Sequence, residues 1–281
     1  MKTKHKIAAA KLLYRTISTS RRAFGQSDKI VTAKGGLTYE LDLSEGIDLA
    51  IYLFGGFEPS TRAALAKSVR SGMTVLDIGA NIGSHTLHLA NLVGAQGRVY
   101  AFEPTDFAFA KLMRNLSLNP ILAQRVVAQQ CFLTSANSGA VPPAIWSSWP
   151  LAAGDGLHPV HLGAKKSTNG AQARTLDSVL ADHGKPAVDV VKMDVDGAEC
   201  EVLSGATAMM SISKPTFVME WTPYTLQEHG HSFAELMSFF VPLGYRFFHQ
   251  RTDKELPCDA AAVARMIGDG GSINVIGRCR K

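Results

Sequence analysis

The sequence predicts an α/β fold, an open Rossmann-like sheet with helices on both faces. Three observations predict it. An apolar strand at residues 73–78 leads into a glycine turn and an amphipathic helix. A second strand at 98–103 follows that helix, and further strands alternate with helical segments down to residue 276. This alternation is typical of parallel sheets whose strands are joined by crossover helices.

The first strand and its turn carry the strongest functional indication. Asp77 lies near the end of the strand, and Gly79, Asn81 and Gly83 follow it. Glycine lacks a Cβ atom, so the backbone can turn tightly and approach a ligand closely. In open α/β sheets the ligand crevice lies at the carboxyl ends of the strands. We therefore predict that Asp77, Gly79, Asn81 and Gly83 bind a cofactor.

The second strand ends in Glu103, and Pro104 stops it. A carboxylate at this place accepts hydrogen bonds from the ribose hydroxyls of a nucleoside. The glycines are spaced G-x-x-x-G rather than G-x-G-x-x-G, and no G-x-x-x-x-G-K-[ST] motif is present, so nothing indicates a pyrophosphate. A nucleoside without phosphates points to S-adenosylmethionine, and we predict that Glu103 holds its ribose.

With the other elements, the predicted sheet has seven strands. A hairpin that turns at Gly35-Gly36 precedes them in the chain. Thr105 or Asp106 is expected to cap one helix, and Thr175 another. The predicted segments, in chain order, are the hairpin strands 30–32 and 37–41, helix 59–69, helix 106–118, strand 126–132, strand 188–194, strand 216–220, helix 232–241, and strands 245–249 and 272–276.

Regular periodicity is lost after the third strand and returns at Thr175. The segment 138–172 is rich in Gly, Ala, Ser and Pro, and it carries Trp146, Trp149, His158 and His161. Long irregular segments within compact domains are usually functional or disordered. We interpret this one as a partly β-structured lid over an acceptor site; the alternative is an insertion that its tryptophans merely pack down.

Length and composition predict one α/β domain at residues 30–281 behind a basic arm at 1–29. The chain has 281 residues, of which 46% are hydrophobic, and no apolar run reaches the ~18 residues that a membrane span needs. The four cysteines are widely spaced and form no C-x-x-C motif, which favours reduced thiols and a cytoplasmic protein. They are Cys131, Cys200, Cys258 and Cys279.

The net charge of +5 is a local property of the arm. Residues 1–22 hold seven of the 29 Lys and Arg and no acid, so the remaining chain carries 22 basic against 24 acidic side chains. This distribution gives no surface for nucleic acid. Three alternatives are open for the arm: a helix packed on the domain edge, weak membrane-surface contact through residues 1–22, or an organellar presequence. Its apolar helical face is predicted to comprise Ile7, Ala10, Leu13, Tyr14 and Ile17.

Four motifs together resemble the FkbM family of S-adenosylmethionine-dependent methyltransferases, and the lead-in 51–59 also resembles that family. The resemblance spans roughly residues 30–276 and implies the seven-stranded sheet of a class I methyltransferase. The motifs are Asp77-Ile78-Gly79-Ala80-Asn81-Ile82-Gly83, Ala101-Phe102-Glu103-Pro104, Thr175-Leu176-Asp177 and Lys192-Met193-Asp194-Val195-Asp196-Gly197-Ala198-Glu199.

In this architecture the end of the fourth strand faces the methyl group, which makes Asp194 the main catalytic candidate. We expect it to contact the cofactor and to orient the acceptor or accept its proton. Glu220 ends the fifth strand and is predicted to point toward the same cleft. Asp196 and Glu199 form a D-x-x-E pattern, which predicts a helix capping box.

No metal site is predicted, because His85 and His88 lie three residues apart without a third ligand. The predicted reaction is O-methylation of a hydroxyl on a small-molecule or carbohydrate acceptor. Two alternatives stay open, a nicotinamide-dependent oxidoreductase and a non-catalytic Rossmann-like binding module. A DNA base is excluded as acceptor, because Trp221-Thr222-Pro223-Tyr224 follows the fifth strand rather than the fourth.

Overall fold

In a computed structural model the chain is described over residues 3–147, 149–151, 156–158, 162–268 and 270–279, with side chains from residue 8 onward. His161, one of the predicted lid residues, lies outside these ranges. Strands β1 to β14 of the described chain are Lys29–Lys34, Leu37–Asp42, Thr74–Ile78, Arg98–Phe102, Val126–Gln129, Cys131–Leu133, Ala144–Ser147, Ala164–Ser167, Gln172–Arg174, Val190–Met193, Thr216–Trp221, Tyr245–His249, Glu255–Leu256 and Ile273–Cys279.

A 3-10 turn covers Val241–Leu243. The predicted caps Thr105 and Thr175 are confirmed, since each side chain accepts a hydrogen bond from the backbone N–H three residues on. Helices α1 to α12 of the described residues are Thr3–Ala23, Gly46–Phe54, Pro59–Ser68, Ser84–Leu92, Asp106–Ser117, Pro120–Ala123, Leu176–Asp182, Glu199–Ser204, Thr207–Ser213, Pro223–Glu228, Phe233–Phe240 and Ala260–Ile267.

The central sheet has the strand order β13-β12-β14-β11-β10-β3-β4-β5. Strands β5, β4, β3, β10 and β11 run parallel, and β14 is antiparallel to both of its neighbours, β11 and β12. The seven predicted strands are thus confirmed in a Rossmann-like sheet of the class I methyltransferase type. The eighth, β13, has two residues, too few to produce a hydrophobic pattern in the sequence.

Helices cover both faces of the sheet because strand side chains alternate in direction. Val75 of β3 packs in a cluster with residues of α3 and α4, such as Leu65 and Leu89. Its neighbour Leu76 packs on the other face with residues of α7, α8, α9 and α11. The parallel strands therefore end together at one edge, between two helical layers, and that edge is open to a ligand.

The N-terminal arm forms helix α1, which packs on the domain edge. Tyr14 is 8% exposed, and its hydroxyl donates a hydrogen bond to Asp28 at 3.1 Å. Ser18 donates to the same carboxylate at 2.9 Å. Leu13 lies at the rim of the predicted apolar face and is 46% exposed. Among the described helices, none combines the length and apolar character that crossing a membrane requires.

The predicted third strand is broken at Gln130. Its first part, β5, pairs with β4 in the central sheet, whereas β6 leaves the sheet and pairs with β9. Between β6 and β9, strands β7 and β8 form an antiparallel hairpin. Trp149 then joins this segment to the domain, because its carbonyl accepts the N–H of Gly46 at 2.8 Å.

Candidate active site

A cleft opens at the carboxyl ends of β3, β4, β10 and β11, and its empty space, including the part open to solvent, is about 1200 Å³. Ile145, Ser147 and Trp149 of the β7–β8 segment line it from outside the sheet. A crevice at the carboxyl ends of the strands is where open α/β sheets bind their ligands.

The turn after β3 forms the floor of the cleft. Gly79 has φ 77° and Asn81 has φ 48°, and both line the cavity. A Cβ atom on Gly79 would overlap the carbonyl oxygen of Asp194, so this glycine is required by the contact between β3 and the end of β10. Gly83 packs instead against Leu112 of α5, with 2.6 Å to an ideal Cβ. It does not line the cavity, and its role in cofactor binding stays a prediction.

Glu103 lies at the end of β4, lines the cavity and is only 3% exposed. One carboxylate oxygen accepts the backbone N–H of Asn81 at 2.9 Å, and the other accepts the N–H and hydroxyl of Thr105 at 3.0 and 2.6 Å. Burial raises the pKa of Glu103, and these donors work against that shift. The oxygen bonded to Asn81 keeps a further acceptor position, so the carboxylate can accept a hydrogen bond from a ribose hydroxyl.

Asp77 lies behind the cavity wall, whereas direct cofactor contact was predicted. Its side chain is fully buried and accepts the hydroxyl of Thr86 at 2.6 Å. Strand alternation turns it away from the cleft. Its second oxygen lies 3.5 Å from the ammonium of Lys192, so Asp77 supports the wall rather than forming it.

Lys192, the first residue of the fourth motif, is buried near the end of β10. Its ammonium donates to the carbonyl of Gly79 at 2.9 Å and lies 3.9 Å from Asp194. Burial alone lowers the pKa of Lys192, but the carboxylates of Asp77, Asp194 and Glu58 outweigh burial and raise it. The lysine therefore stays charged and ties β3 to β10 beneath the cleft.

The predicted catalytic acids Asp194 and Glu220 both line the cavity. The side chain of Asp194 is 35% exposed; partial burial raises its pKa, against the opposing charge of Lys192. Burial raises the pKa of Glu220 to about 8, and the negative charge of Asp194 adds to the shift. The two strand ends thus place two carboxyl groups with elevated pKa values at one rim.

The capping box predicted at Asp196 and Glu199 is wrong. Helix α8 begins at Glu199 itself, after Ala198, and no side chain caps it. Asp196 adopts the left-handed conformation with φ 50°, which turns the chain away from helix geometry. Glu199 is buried and accepts the N–H of Gly197 at 3.4 Å, and burial raises its pKa to about 7.

Two cavity residues were not recognised as site residues from the sequence, Glu58 and His85. His85 is 6% exposed, and neither ring nitrogen makes a hydrogen bond within the described chain. Its Nε2 lies 3.7 Å from the carboxylate of Glu58. The indication in the sequence was indirect: Glu58 lies in the lead-in segment, and His85 follows the glycine turn by two residues.

The predicted absence of a metal stays a prediction. In the described chain, one trio of metal-ligating side chains converges within 4.8 Å, namely Cys200, His231 and Glu235. None of the three lines the cleft. The ring nitrogens of His231 lie 2.9 Å from Glu201 and 3.0 Å from Glu235, an arrangement that an imidazolium between two carboxylates also explains.

Comparisons with known proteins agree with this geometry. A model of the methyltransferase FkbM domain matches residues 77–247. Methyltransferase sdnD of Sordaria araneosa is 32% identical over 195 residues, which are 59% of this chain and 73% of sdnD. Hexuronic acid methyltransferase AglP of Haloferax volcanii is 33% identical over 141 residues, 49% of this chain and 52% of AglP. The chain thus spans about half the length of AglP.

Solved structures with related folds include methyltransferase FkbM from Methylobacillus flagellatus KT. It has a TM-score of 0.43 and 18% identity, and the match covers 80% of this chain and 49% of that chain. A SAM-dependent O-methyltransferase from Thermotoga maritima has a TM-score of 0.42 and 14% identity, with coverage of 92% and 81%.

Proposed function

Because the chain belongs to the FkbM family of methyltransferases, we propose that it transfers a methyl group from S-adenosylmethionine to a neutral hydroxyl of a sugar or another small molecule. Family membership implies S-adenosylmethionine as the methyl donor, which the reaction consumes. The acceptor and the O-methylation are our proposal.

The floor of the cleft fits the donor. Glu103 offers two oxygens that protein N–H groups already orient, and a ribose diol needs such an acceptor pair. Asn81 and Gly79 bring backbone to the cavity surface, which suits the methionine moiety. The donor supplies an activated methyl on a positively charged sulfur, and a carboxylate-rich cleft favours that charge.

The observation that carries the acceptor class is the charge of the lining. Among the described residues that line the cleft, one lysine, Lys192, faces five carboxyl side chains, and Asp77 and Asp194 already pair with its ammonium. An anionic acceptor would meet no lysine or arginine in the described lining that is not already paired with carboxylates, whereas a neutral hydroxyl finds both acceptors for its hydrogen bond and groups able to take its proton. The carboxyl side chains are Glu58, Glu103, Asp194, Asp196 and Glu220.

Aromatic side chains near the cleft support a ring-shaped acceptor. Phe57 and Trp149 lie with ring centroids 5.9 Å apart, and both line the cavity. Flat apolar surfaces of this kind stack on the C–H faces of a sugar ring. The relative AglP carries the name hexuronic acid methyltransferase, and this chain is proposed to act on an uncharged sugar instead.

Positioning accounts for most of the expected rate, because the methyl group is already activated. Well-oriented reactants gain several kcal/mol relative to free encounter, on the order of 7–11 kcal/mol at most. The turn after β3 fixes the methyl donor. Ile145 and Trp149 of the β7–β8 segment cover the acceptor and exclude water.

The test is methyl transfer from labelled S-adenosylmethionine to a panel of methyl glycosides: neutral hexoses and deoxyhexoses, a hexuronic acid and an amino sugar. We expect labelled methyl ethers from a neutral member and none from the uronic acid. Exclusive methyl-ester formation on the uronic acid would overturn the acceptor class. A chain that binds NAD but neither S-adenosylmethionine nor S-adenosylhomocysteine in calorimetry would contradict the donor.

A further inference from the structure

We propose that His85, supported by Glu58, is the base that accepts the proton of the acceptor hydroxyl. This inference rests on the proposed function and assigns its proton transfer to a residue pair outside the sheet. Asp194 and Glu220, the acids at the strand ends, would then orient the two substrates rather than take the proton.

The first argument is the state of the His85 ring. The side chain is 6% exposed and lines the cleft, and neither ring nitrogen makes a hydrogen bond within the described chain. An unsatisfied buried polar group costs ~1–3 kcal/mol. A ligand hydroxyl in the cleft would satisfy one nitrogen, so the unmet bonding capacity points to the acceptor.

The second argument is the position of Glu58. It lies directly before α3 with φ 47°, a left-handed conformation that is uncommon for residues other than glycine. Thr61 donates to its carboxylate at 3.0 Å, and the same oxygen lies 3.7 Å from Nε2 of His85. Burial alone raises the pKa of Glu58, but His85 and Lys192 outweigh it and hold the pKa below its ordinary value.

An ionised Glu58 would stabilise the imidazolium that forms when His85 takes a proton. The same logic applies wherever a carboxylate supports a histidine base. A side-chain contact of 3.7 Å is longer than a hydrogen bond, and proton transfer to the ring would strengthen it by adding opposite charges.

The acids at the strand ends are less suited to the task. Glu220, with a pKa of about 8, holds its proton at neutral pH and cannot accept another. The charge of Asp194 is engaged by the ammonium of Lys192 at 3.9 Å. His85 lines the cleft, and both of its ring nitrogens are buried without a hydrogen-bond partner among the described residues.

The proposed step balances. The acceptor oxygen forms a bond to the methyl carbon while its hydroxyl proton passes to a ring nitrogen of His85. The carbon–sulfur bond of the donor breaks, and its electron pair stays on sulfur as the thioether of S-adenosylhomocysteine. Water later removes the proton from the imidazolium, so the enzyme returns to its starting state without a further reactant.

Three titratable groups surround His85. Glu58 faces it from the start of α3, Asp194 from the end of β10, and His88 from the next turn of α4. Burial lowers the pKa of His88 to about 4, with a further contribution from Arg62, so His88 stays neutral and adds no charge near pH 7.

The experiment compares H85Q, H85A and E58Q with the control H88Q on the panel member that the wild-type chain methylates fastest. His88 shares helix α4, contacts the carbonyl of Arg62 at 3.3 Å and is not part of the cavity lining. We expect kcat to fall by ~10²–10³-fold in H85Q and ~10-fold in E58Q, and to stay within threefold in H88Q. Affinity for S-adenosylhomocysteine should change less than threefold in H85Q.

Added imidazole provides the readout that a purely structural role would not move. It should restore turnover of H85A by at least 10-fold, with no effect on D194N. Turnover of H85Q within threefold of wild type, or an inactive H85A that imidazole does not restore, would overturn the assignment alone. If the wild-type chain labels no member of the panel, the proposed function fails, and this assignment falls with it.

Discussion

The two walls of the cleft differ in how tightly their polar groups are bonded. The donor wall, formed by Gly79, Asn81 and Glu103, has carboxylate contacts of 2.6–3.0 Å. On the acceptor wall, the pairs Glu58–His85 and Lys192–Asp194 stand 3.7 and 3.9 Å apart.

This difference supports the proposed assignment of one wall to the donor and the other to the acceptor. Short hydrogen bonds fix the geometry of the Glu103 carboxylate before the ligand arrives, which suits a molecule that is the same in every turnover. Incomplete pairs leave bonding capacity for the second substrate. The following predictions break one wall at a time and are ordered from the largest expected effect to the smallest.

Gly79→Ala should have the largest effect, because it breaks the donor wall and its contact with β10 together. The new Cβ would overlap the carbonyl oxygen of Asp194 at a backbone φ of 77°. We expect the free energy of unfolding to fall by ~3–4 kcal/mol in urea denaturation.

Gly72→Ala is the matched control, since Gly72 has φ 87° with nothing within 4 Å of its Cβ position. It should cost ~1 kcal/mol, the strain of the left-handed conformation alone. Equal losses in the two variants would show that the close approach of β3 to β10 is unimportant.

Glu199→Gln tests the buried support behind the acceptor wall. Burial raises the pKa of Glu199 from 4.5 to about 7, so the native state holds this proton more tightly than the unfolded chain. Its contribution to stability is fully present below about pH 4.5 and is lost as the pH rises through 7. Glutamine mimics the protonated form at every pH.

Stability of Glu199→Gln should therefore equal that of wild type at pH 5 and exceed it at pH 8.5, by up to ~3 kcal/mol. Turnover should stay within a few-fold. Chemical denaturation at the two pH values measures the difference, and a parallel offset at both would show that the group does not titrate as its burial implies.

Asp194→Asn tests the acceptor wall directly. The change is nearly isosteric, so stability should move little, while turnover should fall ~10²-fold because the orienting charge is lost. Asp189→Asn is the matched control at the opposite end of β10, where the carboxylate accepts the N–H of Thr74 at 2.9 Å. Turnover that drops alike in both variants would place the effect in strand stability rather than in the cleft.

Glu103→Gln should weaken binding of S-adenosylhomocysteine ~10-fold or more, measured by calorimetry, since charge-assisted hydrogen bonds contribute ~1.5–3 kcal/mol. The NH₂ of the new amide cannot accept a hydrogen bond, so the N–H of Asn81 or of Thr105 also loses its acceptor. Asp106→Asn, an exposed neighbour that contacts the N–H of Phe107, should bind as wild type does. Unchanged affinity in Glu103→Gln would move the ribose site elsewhere.

The donor wall was largely predictable from the sequence, because local chain order builds it. A strand, a glycine turn and an acid at the next strand end are neighbours in both sequence and space. The positions of Asp77 and Gly83 relative to the cleft could not be predicted. Sequence spacing does not reveal that strand alternation turns Asp77 inward or that Leu112 of α5 occupies the space beside Gly83.

The acceptor wall was only half predictable. Asp194 and Glu220 end strands, so the strand pattern of the sequence predicts their place at the cleft. Glu58 and His85 come together only through the packing of α3 beside α4, which the sequence pattern does not reveal. The D-x-x-E pattern at Asp196 failed because the left-handed backbone at that residue delays the helix to Glu199. Backbone handedness of this kind is set by tertiary contacts.

The pairing of β6 with β9 has a consequence for how the acceptor specificity of such a chain diverges. The two strands hold residues 133 and 174 side by side, so the loop between them is closed at its base whatever its length. Closure entropy grows only with the logarithm of loop length, ~0.6 kcal/mol for each doubling. Insertions and deletions between these strands are therefore expected to leave the sheet and the donor wall in place. The segment between β6 and β9 can then vary in length and sequence, and acceptor specificity with it, while the residues of the donor wall stay the same.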